Sequence, residues 1–206
     1  MRGNRMITGW LGVLCAAGVG AGVFPSAAAA SPILDDVFDT DHSGVGVLNF
    51  NGFRNWTVTG GTVDLIGSGY FDFFPGHGMY VDLDGSTRDP GLLASHEFTL
   101  TPGTYNVTFS LGGNQRGAAA DDVTVGFGDW TETFRMLSSD PLTPITRTIN
   151  IPAPTVARLT FQNSGGDNIG AILDDVSIIS VPSPAGAVLL GAASVGLAWR
   201  ARRGRG

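Results

Sequence analysis

Between Ser31 and Ser180 the chain repeatedly alternates apolar and polar residues in short runs. TVDLI, MYVDLDG, HEFTLT, TYNVTFSL, DDVTVGFG, TRTINI, ARLTFQN and AILDDVSII each place β-branched or aromatic residues on one side of an extended chain. No stretch of this body sustains a helical period. Turn sequences (GSG, PGHG, DGS, TPGT, GGNQRG and NSGGDN) separate the runs. A half-buried strand needs a second layer over its apolar face. The runs therefore predict an all-β fold, a two-sheet sandwich or jelly roll.

Charge is distributed as unevenly as hydropathy. The chain has no lysine, and of its 12 arginines only Arg54, Arg88, Arg116, Arg135, Arg147 and Arg158 lie in the body. All 18 acidic residues lie there too, so 6 positive against 18 negative charges give a body of −12, twice the whole-chain −6. Such a surface repels phosphate backbones, which excludes nucleic acid as a partner, and it suits divalent cations. The single cysteine, Cys15, precedes the body, which therefore has no disulfide and no thiol nucleophile.

The two ends read as addresses. Residues 1–30 combine Arg2 and Arg5, the apolar stretch ITGWLGVLCAAGVGAGVF and the small residues SAAAAS, the pattern of a signal peptide cut near Ala30. An uncleaved anchor is the alternative. At the other end, Ala185–Trp199 is an apolar stretch of 15 residues, short of the ~20 that span a bilayer. Arg200, Arg202, Arg203 and Arg205 come after it and should stay on the cytoplasmic side. The order Val181-Pro182-Ser183-Pro184-Ala185-Gly186, short apolar helix, arginine-rich tail resembles the PEP-CTERM sorting signal, with Ser183 where glutamate is commonest. That resemblance covers residues 181–206. It implies export in a Gram-negative bacterium, transient membrane anchoring through the C-terminal helix, and an exosortase as processing partner.

The order of features across the body, domain 31–180, carries a second resemblance. WTVTGGTVDLI, GMYVDLDGS, FTLTPGTYNVTFSLGGN and LTFQNSGGDNIGAILDDVSI, within Asn55–Ile179, are similar to the galactose-binding-like jelly roll. They most resemble a domain family of uncharacterised function found in plant cell-wall proteins and in many PEP-CTERM proteins. The resemblance implies carbohydrate binding without catalysis. It also implies a structural Ca²⁺ shared between N-terminal residues and the last strand, which assigns Asp35, Asp36 and Asp175 as metal ligands. Alternation along a strand lets only one of Asp174 and Asp175 face inward, and the resemblance favours Asp175. The alternative is a solvated edge strand whose carboxylates discourage pairing.

Three further stretches bear on chemistry. DTDHSG supplies Asp39, Asp41, Ser43 and Gly44 of a calcium loop, but Phe50 stands where the closing glutamate belongs, so a surface turn is expected. The loop Gly67–Gly78 carries Tyr70, Phe71, Phe73, Phe74 and His77. Sugars stack their C–H faces on such rings, and Asp72, Asn114 and Arg116 could bond the hydroxyls. The same rings could instead cap one end of the sandwich. Trp56, Phe98 and Phe109 read as core, while Trp130 could be core or site. His42, His77 and His96 are scattered without a nucleophile or metalloprotease motif, so no enzyme is expected. The expectation is an exported, surface- or matrix-associated polysaccharide-binding protein, with exopolysaccharide as ligand. A structural matrix protein without a sugar site and a small glycoside-active enzyme are the alternatives.

Overall fold

Each of the eight alternating runs contributes to a strand, because alternation gives an extended chain one apolar face to bury. The computed structural model describes residues 30–182. The signal peptide and the sorting segment from Ser183 onward, including Pro184 and Ala185, lie outside the described residues. The strands are β1 (Pro32–Asp36), β2 (Trp56–Thr59), β3 (Asp64–Gly67), β4 (Met79–Asp82), β5 (Leu92–Ser95), β6 (Phe98–Leu100) and β7 (Gly103–Gly112). They continue as β8 (Asp121–Phe127), β9 (Trp130–Met136), β10 (Thr143–Ile151), β11 (Thr155–Ala157), β12 (Leu159–Ser164) and β13 (Ile172–Val181). One sheet runs β10-β7-β13-β4-β3 with β1 also beside β13. The other runs β2-β5-β12-β8-β9, and β11 and β6 form a short separate pair. All strand pairs are antiparallel. The two sheets form the sandwich that the sequence predicts.

Between the sheets lies a core of interleaved aromatics. Phe161 on β12 meets Trp56 on β2 at 5.8 Å and Phe109 on β7 at 5.3 Å between ring centroids. Trp56, Phe98 and Phe109 are buried, as read from the sequence, and Trp130 is half-buried against the same core. Tyr105 keeps its hydroxyl satisfied by donating to the Thr101 carbonyl at 2.9 Å.

Strand β13 is the hub of its sheet. Along one edge it pairs with β7. On its other edge β4 takes the beginning, Ile172 and Leu173, and β1 takes Val176–Ile179. Asp174 and Asp175 fall in the gap between these partners, where the β13–β7 register shifts and Asp175 adopts φ +50°. A bulge therefore interrupts strict alternation at the one place where two carboxylates are adjacent.

The loop Gly67–Gly78 folds over the outer face of this sheet. Ile66, Tyr80 and Ile172 form a second small core there, covered by Tyr70, Phe73, Phe74 and Leu142. The Tyr80 hydroxyl accepts hydrogen bonds from the Phe73 and Phe74 amides, and its own proton points toward Phe71 O and Asp72 Oδ1. Burial pushes this phenol up to about 12, so it stays a donor at any physiological pH.

Candidate functional site

Two groups of side chains flank that loop. The first lines a cleft of about 180 Å³ between the loop, β3, β4 and the turns after β7 and β12. Asp64 and Asp82 face each other in register across β3 and β4. Asp64 Oδ1 accepts from the Asn49 and Ser86 amides at 2.6 and 3.1 Å, and Oδ2 from Ser86 Oγ at 2.8 Å. Asp82 Oδ1 accepts from the Asp84 and Gly170 amides, and Oδ2 holds the Arg116 guanidinium at 2.5 Å. Burial pushes Asp82 up to about 7 despite the opposing pull of Arg116. The guanidinium also lies 5.2 Å from the centre of the Phe73 ring, a cation–π contact.

Phe71 stands at the rim of this cleft with 55% of its surface exposed. Its backbone has φ +51°, which costs an L-residue roughly 1–2 kcal/mol. The edge of Tyr70 props its ring at a centroid distance of 4.8 Å. An exposed ring held on an unfavourable backbone is the kind of outlier that collects at binding sites.

The second group sits in the β13 gap, just along the strand from the cleft. His77, Asp174 and Asp175 place ligand-type atoms within 4.8 Å of one another. Asp174 is 1% exposed, and Asp175 accepts from Ser110 Oγ at 3.2 Å. Burial, with the neighbouring Asp175, Asp39 and Asp36 carboxylates adding to it, pushes Asp174 up to about 8. The four ion pairs among the described residues lie elsewhere, so no arginine offsets this cluster. Asp39 reaches it by accepting from the Met79 amide at 2.7 Å. Gly78 (φ +72°) makes room, because a Cβ there would strike the Asp39 carboxylate.

The structure corrects several expectations from the sequence. Asp174, not Asp175, is the buried acid, and the bulge brings both carboxylates to one place, so alternation does not force a choice. Asp35 is exposed on β1 and stands apart from the cluster. Asp36 is nearby, but its oxygens accept from the Phe38 amide, Asn55 Nδ2 and Trp56 Nε1. Asp39 and Asp41 do not form one loop site: Asp41 is buried and accepts from the Arg54 amide. Asn114 is fully buried, bonding Asp121, Ala119 O, Arg116 N and Ser138 Oγ, so it holds the turn rather than facing a ligand.

The aromatic loop divides between its two readings. Tyr70, Phe73 and Phe74 cap the sheet, and of these only Phe73 also lines the cleft. Phe71 provides the free ring. His77 belongs to the acidic cluster. Asp64 and Asp82 escaped the sequence reading although each stands inside an apolar run, VDL in both cases, the signal that could have found them.

Wider hollows open at the opposite pole. One, about 570 Å³, is walled by Thr101–Tyr105, Asn150–Pro152 and Ser180–Pro182 without any carboxylate. Another, about 320 Å³, lies beside Trp130, Asp129 and Thr148. Size alone would favour these, but neither combines an exposed ring with charged groups held in fixed positions. Among the described residues no helix is long and apolar enough to cross a membrane.

No family model matches this chain, and no curated protein matches it either. Solved structures do. The CBM22-1 xylan-binding domain from Paenibacillus barcinonensis Xyn10C is 15% identical with a TM-score of 0.50, over 77% of this chain and 99% of that one. The CBM22-1–GH10 modules of a Clostridium thermocellum endo-xylanase, complexed with xylohexaose, are 17% identical (TM-score 0.47) over 74% of this chain. This chain spans only 29% of their length. The module TmCBM61, in complex with β-1,4-galactotriose, is 17% identical (TM-score 0.46) over 63% of this chain and 90% of that one. These three solved structures contain carbohydrate-binding modules, and the likeness of this chain to the first of them is one of jelly-roll fold.

Proposed function

We propose that this chain is an exported, non-catalytic carbohydrate-binding protein that takes sugar in the cleft between Phe71 and Arg116. The observation that carries this is the pairing of an exposed, propped ring with a guanidinium and two carboxylates already fixed by hydrogen bonds. Such a site offers a stacking face and oriented polar groups at little ordering cost. The likeness in fold to carbohydrate-binding modules supports the reading. Hydrolysis by the facing carboxylates is disfavoured, because Asp82 is held by Arg116 and Asp64 accepts three hydrogen bonds.

The acidic cluster supports a structural cation. Asp174, Asp175 and Asp39 offer hard oxygen donors, the type that Ca²⁺ takes, with Asp36 adding negative charge nearby. A bound ion would supply the positive charge that no arginine provides there. His77 offers a nitrogen, which suits a first-row transition metal better than calcium.

Export and sorting complete the proposal. The V-P-S-P sequence begins where β13 ends, at Val181, which would put the bond for an exosortase after the last strand in the chain. After processing, the protein would lie at the cell surface or in the matrix, with exopolysaccharide as its natural ligand.

The test is a glycan array and an exopolysaccharide pull-down with the full chain, its Phe71→Ala variant and its Trp130→Ala variant. Binding that Phe71→Ala weakens at least tenfold supports the cleft. Loss through Trp130→Ala alone would move the site to the opposite pole. No binding by a folded chain would leave a structural matrix protein.

A further inference from the structure

The cleft is small and its charged groups are already engaged by one another and by the backbone, and both properties bear on which part of a glycan can enter. Resting on the carbohydrate reading above, we infer that it seats one neutral pyranose residue, presented at a chain end or a side branch, rather than a run of main-chain sugars.

Volume is the first argument. At about 180 Å³ the cleft falls below the ~300–1,000 Å³ of sites that enclose drug-sized molecules. A cleft of that size leaves room for one ring and its hydroxyls.

The second argument is the supply of rings. A length of polysaccharide held by stacking needs several aromatic faces in sequence. Phe71 is the one exposed aromatic among the described residues. The outer faces of the long strands carry hydroxyls and amides instead, and these pair across strands. Thr108 meets Thr146 at 3.0 Å, Thr148 meets Asn106 at 2.9 Å, and Thr124 meets Thr133 at 3.0 Å. They offer no track along which a chain could stack.

Charge supplies the third. Asp64 and Asp82 face a single Arg116, whose guanidinium is committed to Asp82, so the cleft has no free positive charge for a carboxylate or sulfate. What remains suits neutral hydroxyls. Among the described residues Asp64 Oδ2 accepts one hydrogen bond, and Arg116 has N–H groups that Asp82 does not use.

Calorimetric titration of the full chain tests this. The probes are methyl glycosides of neutral hexoses and pentoses, methyl glucuronide, and oligomers of one to six units of whichever neutral sugar binds. The expected result is affinity for the single residue within about threefold of that for the hexamer, with no binding of the glucuronide. Phe71→Ala should weaken binding at least tenfold, and Trp130→Ala should leave it unchanged. Comparing a linear oligomer with its singly branched counterpart tells chain end from branch. A gain of tenfold or more between one and four units, or preference for the glucuronide, would overturn this inference and leave the carbohydrate reading standing. No glycan bound by a chain that melts cooperatively would sink both.

Discussion

Two carboxylate groups on the same sheet, a few residues apart along β13, are treated in opposite ways. At the cleft, Asp64 and Asp82 are buried but satisfied: backbone amides, a serine and Arg116 take up their oxygens. In the β13 gap, Asp174, Asp175 and Asp39 crowd together with no arginine among them. A formal charge of −12 over the body hides this distinction. A carboxylate surrounded by donors offsets part of its burial cost through its partners, whereas one facing other carboxylates stores repulsion that a cation would release.

The largest effect should come from unbalancing the satisfied group. Arg116→Ala leaves a buried Asp82 without its partner, a loss of about 3 kcal/mol at the lower end for broken buried pairs, or roughly 6–12 °C in a domain of this size. Adding Asp82→Asn in the same chain should recover part of that, because the uncompensated charge is gone. Calorimetric melting of the three variants checks this, and a double variant no better than Arg116→Ala would refute the pairing argument.

The unsatisfied group should respond to metal instead. Calcium at a hundred times its dissociation constant should stabilise the chain by about 2.7 kcal/mol, roughly 5–11 °C. Asp174→Asn should abolish that response and Arg116→Ala should keep it. His77→Ala should leave it intact if calcium is the ion; loss of the response would point to a metal that prefers nitrogen.

The two groups also separate by pH. Aspartates ionise near 3.8 unless perturbed, yet burial pushes Asp82 to about 7 and Asp174 to about 8. Between those limits the folded chain binds protons that the unfolded chain has lost. Its metal-free stability should therefore be greatest below about pH 4 for these groups and decline as pH rises through 7 and 8. Melting temperatures measured from pH 4 to 9 should fall less steeply between pH 4 and 7 in Asp82→Asn, whereas Asp174→Asn should flatten that range too and also abolish the upper part of the decline, from pH 7 to 8. Saturating calcium should remove the upper part in the parent chain. The smallest change is reserved for Phe71→Ala, which should move the melting temperature by no more than about 2 °C, as an exposed side chain away from the core implies.

The fold was legible because alternation is local. Each of the eight alternating runs contributes to a strand, whereas β1, β2, β5, β9 and, but for Ala157, β11 lie outside those runs, β1 and β5 for a visible reason. PILDD begins with proline and ends in two acids, and LLAS has no alternation because its last three residues are buried. The site was less legible because it depends on which strands become neighbours. Asp64 and Asp82 are separated by two turns and a loop in sequence, and only the β3–β4 register makes them opposite. The bulge at Asp174–Asp175 reflects two short strands sharing one edge of β13, which no local pattern records. Phe71 was visible as one ring among four, but its exposure results from Tyr80 anchoring the amides of Phe73 and Phe74.

β1 lies antiparallel to β13 with Pro32 opposite Ile179, so both ends of the described domain leave from one pole. The cleft lies at the other, most of a ten-residue strand away, or about 30 Å. Tension between the two ends would part β1 from β13 one rung at a time, starting at Pro32 and travelling toward Asp36. The acidic cluster sits where that unzipping would finish. An ion seated there would act as a stop, so a domain tethered at that pole could bear load on its first strand while the cleft beyond kept its shape.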